Sequence, residues 1–282
     1  MLELNDDVDL VDPIVIAAFE GWNDAAEAAT GVVDHLIEHW RPRLVGAIDP
    51  EDFYDFQVNR PAVSTDESGH RRLVWPTTEI LLASPPDLDR DVILIRGIEP
   101  NMRWRGFCAE LLTVCDELGA EVVVTLGALL ADTPHTRPIP VTGSASEPDL
   151  VDRLKLEEST YEGPTGIVGA LHDACSRLDI PTVSYWAAVP HYVAQPPCPK
   201  ATLALLGQLE DLLETSIPLG DLPEDARAWE RGVDELAEED EEISDYVRAL
   251  EEARDTTDLP EATGEAIARE FERYLKRRGD EG

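Results

Sequence analysis

Lysine is almost missing from this sequence: only Lys155, Lys200 and Lys276 stand among 282 residues. Lys and Arg together number 23 against 59 Asp and Glu, a formal net charge of −36. Phosphate binding is mostly cation-driven, so no nucleic-acid partner is expected, and anionic membrane surfaces are excluded on the same ground. Cysteine is scarce too. Cys108, Cys115, Cys175 and Cys198 form no Cys-x-x-Cys pair, so neither a zinc site nor a disulfide framework is expected. No apolar run approaches the ~18 residues of a membrane span. The opening Met1-Leu-Glu-Leu-Asn-Asp-Asp7 is acidic and lacks the basic start and apolar stretch of a signal peptide. The expectation is a soluble, reduced, cytoplasmic protein whose acidity serves solubility.

Several familiar chemistries are absent as well. The chain has no phosphate-binding P-loop, no Gly-x-Gly-x-x-Gly, no His-Glu-x-x-His and no Gly-x-Ser-x-Gly. These are the short patterns that build nucleotide, metalloprotease and serine-hydrolase sites. No metal and no cofactor are expected, and no catalytic residue is assigned.

What is present begins at residue 13. Pro13-Ile-Val-Ile-Ala-Ala-Phe19 is a short apolar run, ended by Glu20-Gly21-Trp22-Asn23-Asp24. Ala25, Ala28, Ala29, Val32, Val33, Leu36, Ile37 and Trp40 then recur at helical spacing. The change of period predicts a strand, a turn and a helix in immediate succession. Further strands are expected at residues 44–48, 72–75, 79–83, 91–96, 121–126 and 182–187, with helices at 104–118, 166–178 and 199–215. The runs 91–96 and 121–126 are apolar with polar ends, as strands buried on both faces are. The alternation predicts an α/β domain over residues 1–219, with a mostly parallel sheet flanked by helices. Residues 41–83 carry strand signals without a helix, which predicts a hairpin or antiparallel insertion.

Composition changes near residue 219. Residues 221–282 hold 22 acidic and 9 basic side chains, and Pro223 fits a helix start. Ala226, Trp229, Val233, Leu236, Ile243, Val247 and Leu250 keep a three–four spacing that Asp240 interrupts. The pattern predicts one long helix, or two helices meeting near residues 239–242. A last helix is expected over 261–278, with Ile267, Phe271, Tyr274 and Leu275 on one face. Residues 220–282 are thus expected to form a C-terminal helical domain held by its apolar stripe.

Four polar turns follow predicted strands, at residues 20–24, 97–105, 127–140 and 189–193. Turns after parallel strands share one edge of an open sheet, where such folds gather ligand groups. Trp22, Asp24, Glu99, Arg103, His135 and His191 are the candidate residues of a cleft there. Two histidines beside carboxylates have the chemistry to move protons. Each residue also has a plainer role. Asp24 fits a helix cap, the histidines fit backbone bonding or an interface, and Trp22 fits a core or interface anchor.

A family resemblance rests on an ordered set of motifs. They are Phe19-Glu-Gly-Trp-Asn-Asp-Ala25, Gly97-Ile-Glu-Pro100 with Trp104, and Thr125-Leu-Gly-Ala-Leu-Leu-Ala-Asp-Thr-Pro-His-Thr-Arg-Pro138. Gly163-Pro-Thr-Gly-Ile-Val-Gly169, Val189-Pro-His-Tyr-Val193 and Pro196-Pro-Cys-Pro-Lys-Ala-Thr202 complete it. From about residue 13 to 215 the chain resembles the proteasome assembly chaperone 2 family, and within it the actinobacterial branch. The resemblance implies a phosphorylase/hydrolase-like α/β fold, related to nucleoside phosphorylases, in proteins that are commonly homo-oligomers. Some archaeal members carry a C-terminal hydrophobic-Tyr-x tail that docks into proteasome pockets. Here Tyr274 is followed by Leu-Lys-Arg-Arg-Gly-Asp-Glu-Gly282, which departs from that pattern.

The resemblance, with the missing catalytic motifs, implies a non-enzymatic chaperone-like or scaffold protein acting through protein–protein contacts. The implied assembly is a homo-oligomer, a trimer before other rings, with the proteasome or another protein assembly as partner. The alternative is an enzyme or small-molecule binder with a nucleoside phosphorylase/hydrolase-like strand-end cleft.

Overall fold

The structure is a computed structural model that describes residues 10–66, 68–156 and 161–258. The helix expected over 261–278, with Ile267, Phe271, Tyr274 and Leu275, lies outside the described residues. The first strand, β1 (Ile14–Glu20), is followed by α1 (Ala28–Trp40) and the edge strand β2 (Arg43–Ile48). A hairpin of β3 (Ala62–Thr65) and β4 (Arg71–Val74) precedes β5 (Thr78–Ala83) and β6 (Val92–Ile98). Then come α2 (Trp104–Glu117), β7 (Val122–Ala131), β8 (Val141–Ala145), α3 (Pro148–Leu154) and α4 (Ile167–Ser176). The described chain closes with β9 (Thr182–Pro190), α5 (Pro199–Leu213), α6 (Leu222–Glu239) and α7 (Glu241–Asp258).

Seven strands form one sheet in the order β2-β5-β6-β1-β7-β9-β8. The central four, β6, β1, β7 and β9, run parallel. The margins are antiparallel: β2 and β5 on one side, β8 on the other. The parallel sheet read from the sequence is thus its centre, and the antiparallel insertion expected over 41–83 is the β2–β5 margin with the β3–β4 hairpin. Strand β1 shows why the centre is stable. Ile14, Ile16 and Ala18 enter one core with α1 and α5, while Val15, Ala17 and Phe19 enter the other with α2 and α4. Side chains alternate across a strand, so an apolar run buried on both faces feeds two cores at once. Each large side chain so buried contributes roughly 1.5–3 kcal/mol.

Edge strand β8 was not expected, because Val141-Thr-Gly-Ser-Ala145 is short and polar and, among the described residues, pairs only with β9. Strand β7 runs on to Ala131, five residues past its expected end, because its register with β9 continues to Ala131↔Pro190. In the described part of the C-terminal stretch there are two helices. Asp240 sits between them in extended backbone (φ −127°), and its Oδ1 accepts the Glu242 N–H at 2.9 Å. The polar residue that breaks the apolar stripe is the cap of α7. Helix α6 lays Leu222 and Trp229 on the α1–α5 core and buries Val233. Among the described residues no helix is long and apolar enough to cross a membrane.

Candidate functional site

Because β6, β1, β7 and β9 are parallel neighbours, the four turns after them line one edge of the sheet. Two polar clusters occupy that edge. They meet different elements.

The first cluster is built on the turn after β1. Gly21 takes φ +120°, a conformation that glycine adopts without strain. Asn23 then continues the pairing onto β7, its carbonyl accepting the Ala128 N–H at 2.7 Å. Glu99, after β6, donates its own N–H to Glu20 O at 2.8 Å. Its Oε1 accepts from Asn23 Nδ2 at 2.6 Å and from the Ile167 N–H of α4 at 2.8 Å. One carboxylate oxygen therefore ties together the turn after β1, the turn after β6 and the start of α4. Charge-assisted bonds of this type contribute about 1.5–3 kcal/mol each. The approach is so close that a Cβ on Gly166 would lie 2.2 Å from Asn23 Oδ1 and 2.6 Å from Glu99 Oε1. That clearance accounts for one glycine of the Gly163–Gly169 motif. Asn23 is fully buried, and its Oδ1 has no hydrogen-bond partner among the described residues.

Asp24 turns inward instead. It is 6% exposed, and its Oδ1 accepts the Ala29 N–H at 2.7 Å, with Thr30 Oγ1 bonded to Oδ2. It caps α1 across a strained connection, because Ala26 and Glu27 both adopt left-handed backbone, φ 52° and 54°. Burial raises the Asp24 carboxyl to about 6, against the lowering effect of its Thr30 and Ala29 hydrogen bonds. Trp22 is exposed at the edge. Arg103 is drawn elsewhere: it pairs with Asp52 and lies 5.8 Å from the Phe53 ring centre.

The second cluster holds the histidines. His135 is 1% exposed. Its backbone N–H donates to Tyr192 Oη at 2.8 Å, and its Nδ1 lies 2.8 Å from the same hydroxyl. Its Nε2 is 3.0 Å from Asp234 Oδ1 on α6. The network assigns the tautomer: Tyr192 donates to Nδ1, and Nε2–H donates to Asp234. Burial pushes the Tyr192 hydroxyl up to about 12, so it keeps that proton. His191 is more open, with Nδ1 3.3 Å from Asp132 Oδ1 and its ring 5.3 Å from that of Tyr246. Around them α6 and α7 are fastened to the turns after β7 and β9. Arg137 forks onto Asp255 at 2.9 and 2.8 Å and reaches Glu251 at 3.2 Å. Tyr246 Oη donates to Asp132 at 3.0 Å, and Lys200 Nζ meets Glu230 at 2.6 Å.

Glu99 is joined to Asn23, and His135 is linked to His191 through Tyr192, whose ring lies 5.8 and 5.9 Å from theirs. Asp24, Arg103 and the histidines make no direct contact with one another among the described residues. The remaining space under α6 and α7 is a cleft of about 190 Å³, walled by His135, Asp234, Glu238, Ser244, Arg248 and Glu251. A cavity of about 320 Å³, with Ile14, Arg90 and Arg153 among its walls, lies at the opposite edge, where β1 and β7 begin. No nucleophilic thiolate is available among the cysteines. All four are buried, and burial lifts Cys108 and Cys115 to about 12 and Cys198 to about 11. Asn23, Gly166, Tyr192 and Asp234 complete the clusters although none was a candidate. Three lie inside motifs already quoted; Asp234, on a polar helix face, carried no signal.

A profile of the PAC2 family matches residues 18–237. No curated protein matches the chain. A PAC2 family protein from Streptomyces avermitilis is similar at 59% identity, covering 84% of this chain and 100% of that one, with a TM-score of 0.79. A structure described as a proteasome-assembly chaperone homologue from Mycobacterium tuberculosis is 53% identical over 83% of this chain and 99% of its own, TM-score 0.76. An archaeal proteasome activator from Pyrococcus furiosus shares the fold at 18% identity, over 84% of this chain and 98% of its own, TM-score 0.67. The profile spans most of the sequence and the Streptomyces protein aligns over its whole length: the chain belongs to the PAC2 family.

Proposed function

We infer that this protein is a non-enzymatic, chaperone-like scaffold of the cytoplasm that acts through protein–protein contacts. It self-associates, as a trimer before other rings, and its client is the proteasome or another protein assembly. The observation that carries this reading is a strand-end edge filled except for the cleft of about 190 Å³ beside His135. Asn23 and Glu99 plug it at β1 and β6, and α6 with α7 cover it at β7 and β9. An enzyme of open α/β type needs that crevice for its ligand. The description of the Mycobacterium relative as a proteasome-assembly chaperone homologue supports the same reading. Capture of the full-length tagged protein from a native lysate is expected to bring down proteasome subunits or those of another assembly. Capture of neither counts against the role.

The second reading, a small-molecule binder or enzyme at the same edge, is favoured by one feature. The raised Asp24 carboxyl follows Asn23 in sequence, whose buried Oδ1 is unbonded among the described residues. In that reading the candidate residues Trp22, Asp24, Glu99, Arg103, His135 and His191 must rearrange to share an entry, since Asp24 is turned inward and Arg103 pairs with Asp52. A ligand that binds the native state raises its melting temperature, so a thermal-shift screen of nucleosides and nucleotides separates the two.

A further inference from the structure

The β3–β4 hairpin stands outside the seven-stranded sheet and pairs with no third strand among the described residues. Isolated hairpins are marginal in water and their free edges invite partners. This one is nevertheless pre-shaped at both ends. At its tip Asp66 Oδ1 accepts from Ser68 N at 3.0 Å, Ser68 Oγ at 2.7 Å and His70 N at 2.9 Å. At its root Trp75 packs edge-on against Phe56, ring centres 4.8 Å apart. Val63 and Leu73 face each other across the hairpin and are more than half exposed, at 56% and 53%.

Strand β4 carries two cations in a chain poor in them, although Asp66 and Glu67 balance Arg71 and Arg72 within residues 62–74. Arg71 and Arg72 are exposed, one on each face, and make no ion pair among the described residues. In a chain of net charge −36 the complementary surface is the chain's own. Between Leu222 and Asp258 there are 15 acidic residues against 4 arginines. Glu235, Glu238, Glu239, Glu241 and Glu242 are exposed around the α6–α7 joint and form no ion pair among the described residues.

We propose that the β3–β4 hairpin is an assembly arm that docks onto the acidic α6–α7 joint of a second copy of this chain. Arg71 shares its face with Val63 and Leu73, so one contact covers that pair and brings Arg71 to the carboxylates, while Arg72 on the other face reaches them around the hairpin's edge. Rigid ends lower the ordering cost of such a contact, and complementary charge sets its register. The proposal rests on the self-association inferred above and assigns its surface.

Light scattering of the full-length protein at micromolar concentration tests it. The wild type is expected at a multiple of 31.1 kDa. Arg71→Glu with Arg72→Glu should drop the mass to one chain without changing the circular dichroism, since both positions are exposed. Adding Glu238→Arg and Glu242→Arg to that double variant should restore the assembly by reversing both sides. A wild-type mass of one chain overturns self-association and the arm together. An oligomeric wild type whose mass is unchanged in the double variant, or a four-fold variant that stays monomeric, overturns the arm alone.

Discussion

His135 Nε2 lies 3.0 Å from Asp234 Oδ1, joining a turn after β7 to the face of α6 across 99 residues of sequence. The same ring is held at Nδ1 by Tyr192, so the imidazole has both nitrogens engaged while almost wholly buried. The two partners are unequal. Asp234 is half exposed and can be rehydrated, whereas removal of the imidazole leaves a cavity and a stranded hydroxyl.

His135→Ala is therefore expected to cost about 2–4 kcal/mol, the range for a buried side chain lost with its hydrogen bonds. Asp234→Asn, which keeps an acceptor, should cost less than about 1 kcal/mol. Urea unfolding gives the two values, and limited proteolysis of α6 and α7 reports whether the cover loosens. Equal losses would mean that the carboxylate fastens it as much as the imidazole does.

Gly166→Ala places a methyl group 2.2 Å from Asn23 Oδ1. Overpacking of this kind costs about 1–3 kcal/mol. Asn23→Ala removes the nearest obstruction and leaves Glu99 Oε1 at 2.6 Å, so the double variant should be more stable than the sum of the single losses predicts, though still below wild type. A double-mutant cycle with no coupling would refute the three-way junction as the source of the strain.

Glu27→Gly should stabilise the protein by roughly 0.5–1 kcal/mol. The left-handed backbone costs an L-residue about 1–2 kcal/mol, offset in part by glycine's greater freedom when unfolded. Glu27 is exposed, so little packing is lost. Removing its charge also relieves Asp24, whose carboxyl it helps to raise. A lower unfolding midpoint in the glycine variant contradicts this.

Asp24 imposes a pH dependence whose sign runs against most carboxylates. Its carboxyl is raised from 3.8 to about 6 in the fold, chiefly by burial. The folded state then holds the proton more tightly than the unfolded chain. Its contribution is complete below pH 3.8 and is lost as pH rises through 6, a difference of about 3 kcal/mol. Asp24→Asn carries no such loss. The stability of the asparagine variant relative to wild type should climb between pH 4.5 and 7, and a flat difference would show that Asp24 titrates as an exposed carboxyl does.

Much of this was legible in the residues, for identifiable reasons. Val15, Ala17 and Phe19 announced a strand because both its faces are buried. Helices α2, α4 and α5 showed their apolar periods. Strand β8 did not show, since its Thr142 and Ser144 are polar and their placement depends on pairing with β9. The candidate turns did fall on one edge, yet which residues meet there was not readable. Asp234 reaches His135 only after α6 chooses its face, and Arg103 is drawn to Asp52 by the turn before Phe53. The motifs that carried the family resemblance converge in space: those at 19–25, 97–100 and 163–169 meet at Glu99.

The fastening of α6 and α7 has a consequence during synthesis. Thr136 waits for Glu251 and Arg137 for Asp255, partners 115 and 118 residues later in the chain. On the ribosome, at about 5–20 residues per second, the ends of β7 and β9 emerge well before the helices that cover them. For that interval of several seconds the nascent protein presents Tyr192, His191 and the bare edge of its sheet to the cell. Any factor that attends this protein's own folding would find its handhold there, and would be displaced as α7 closes.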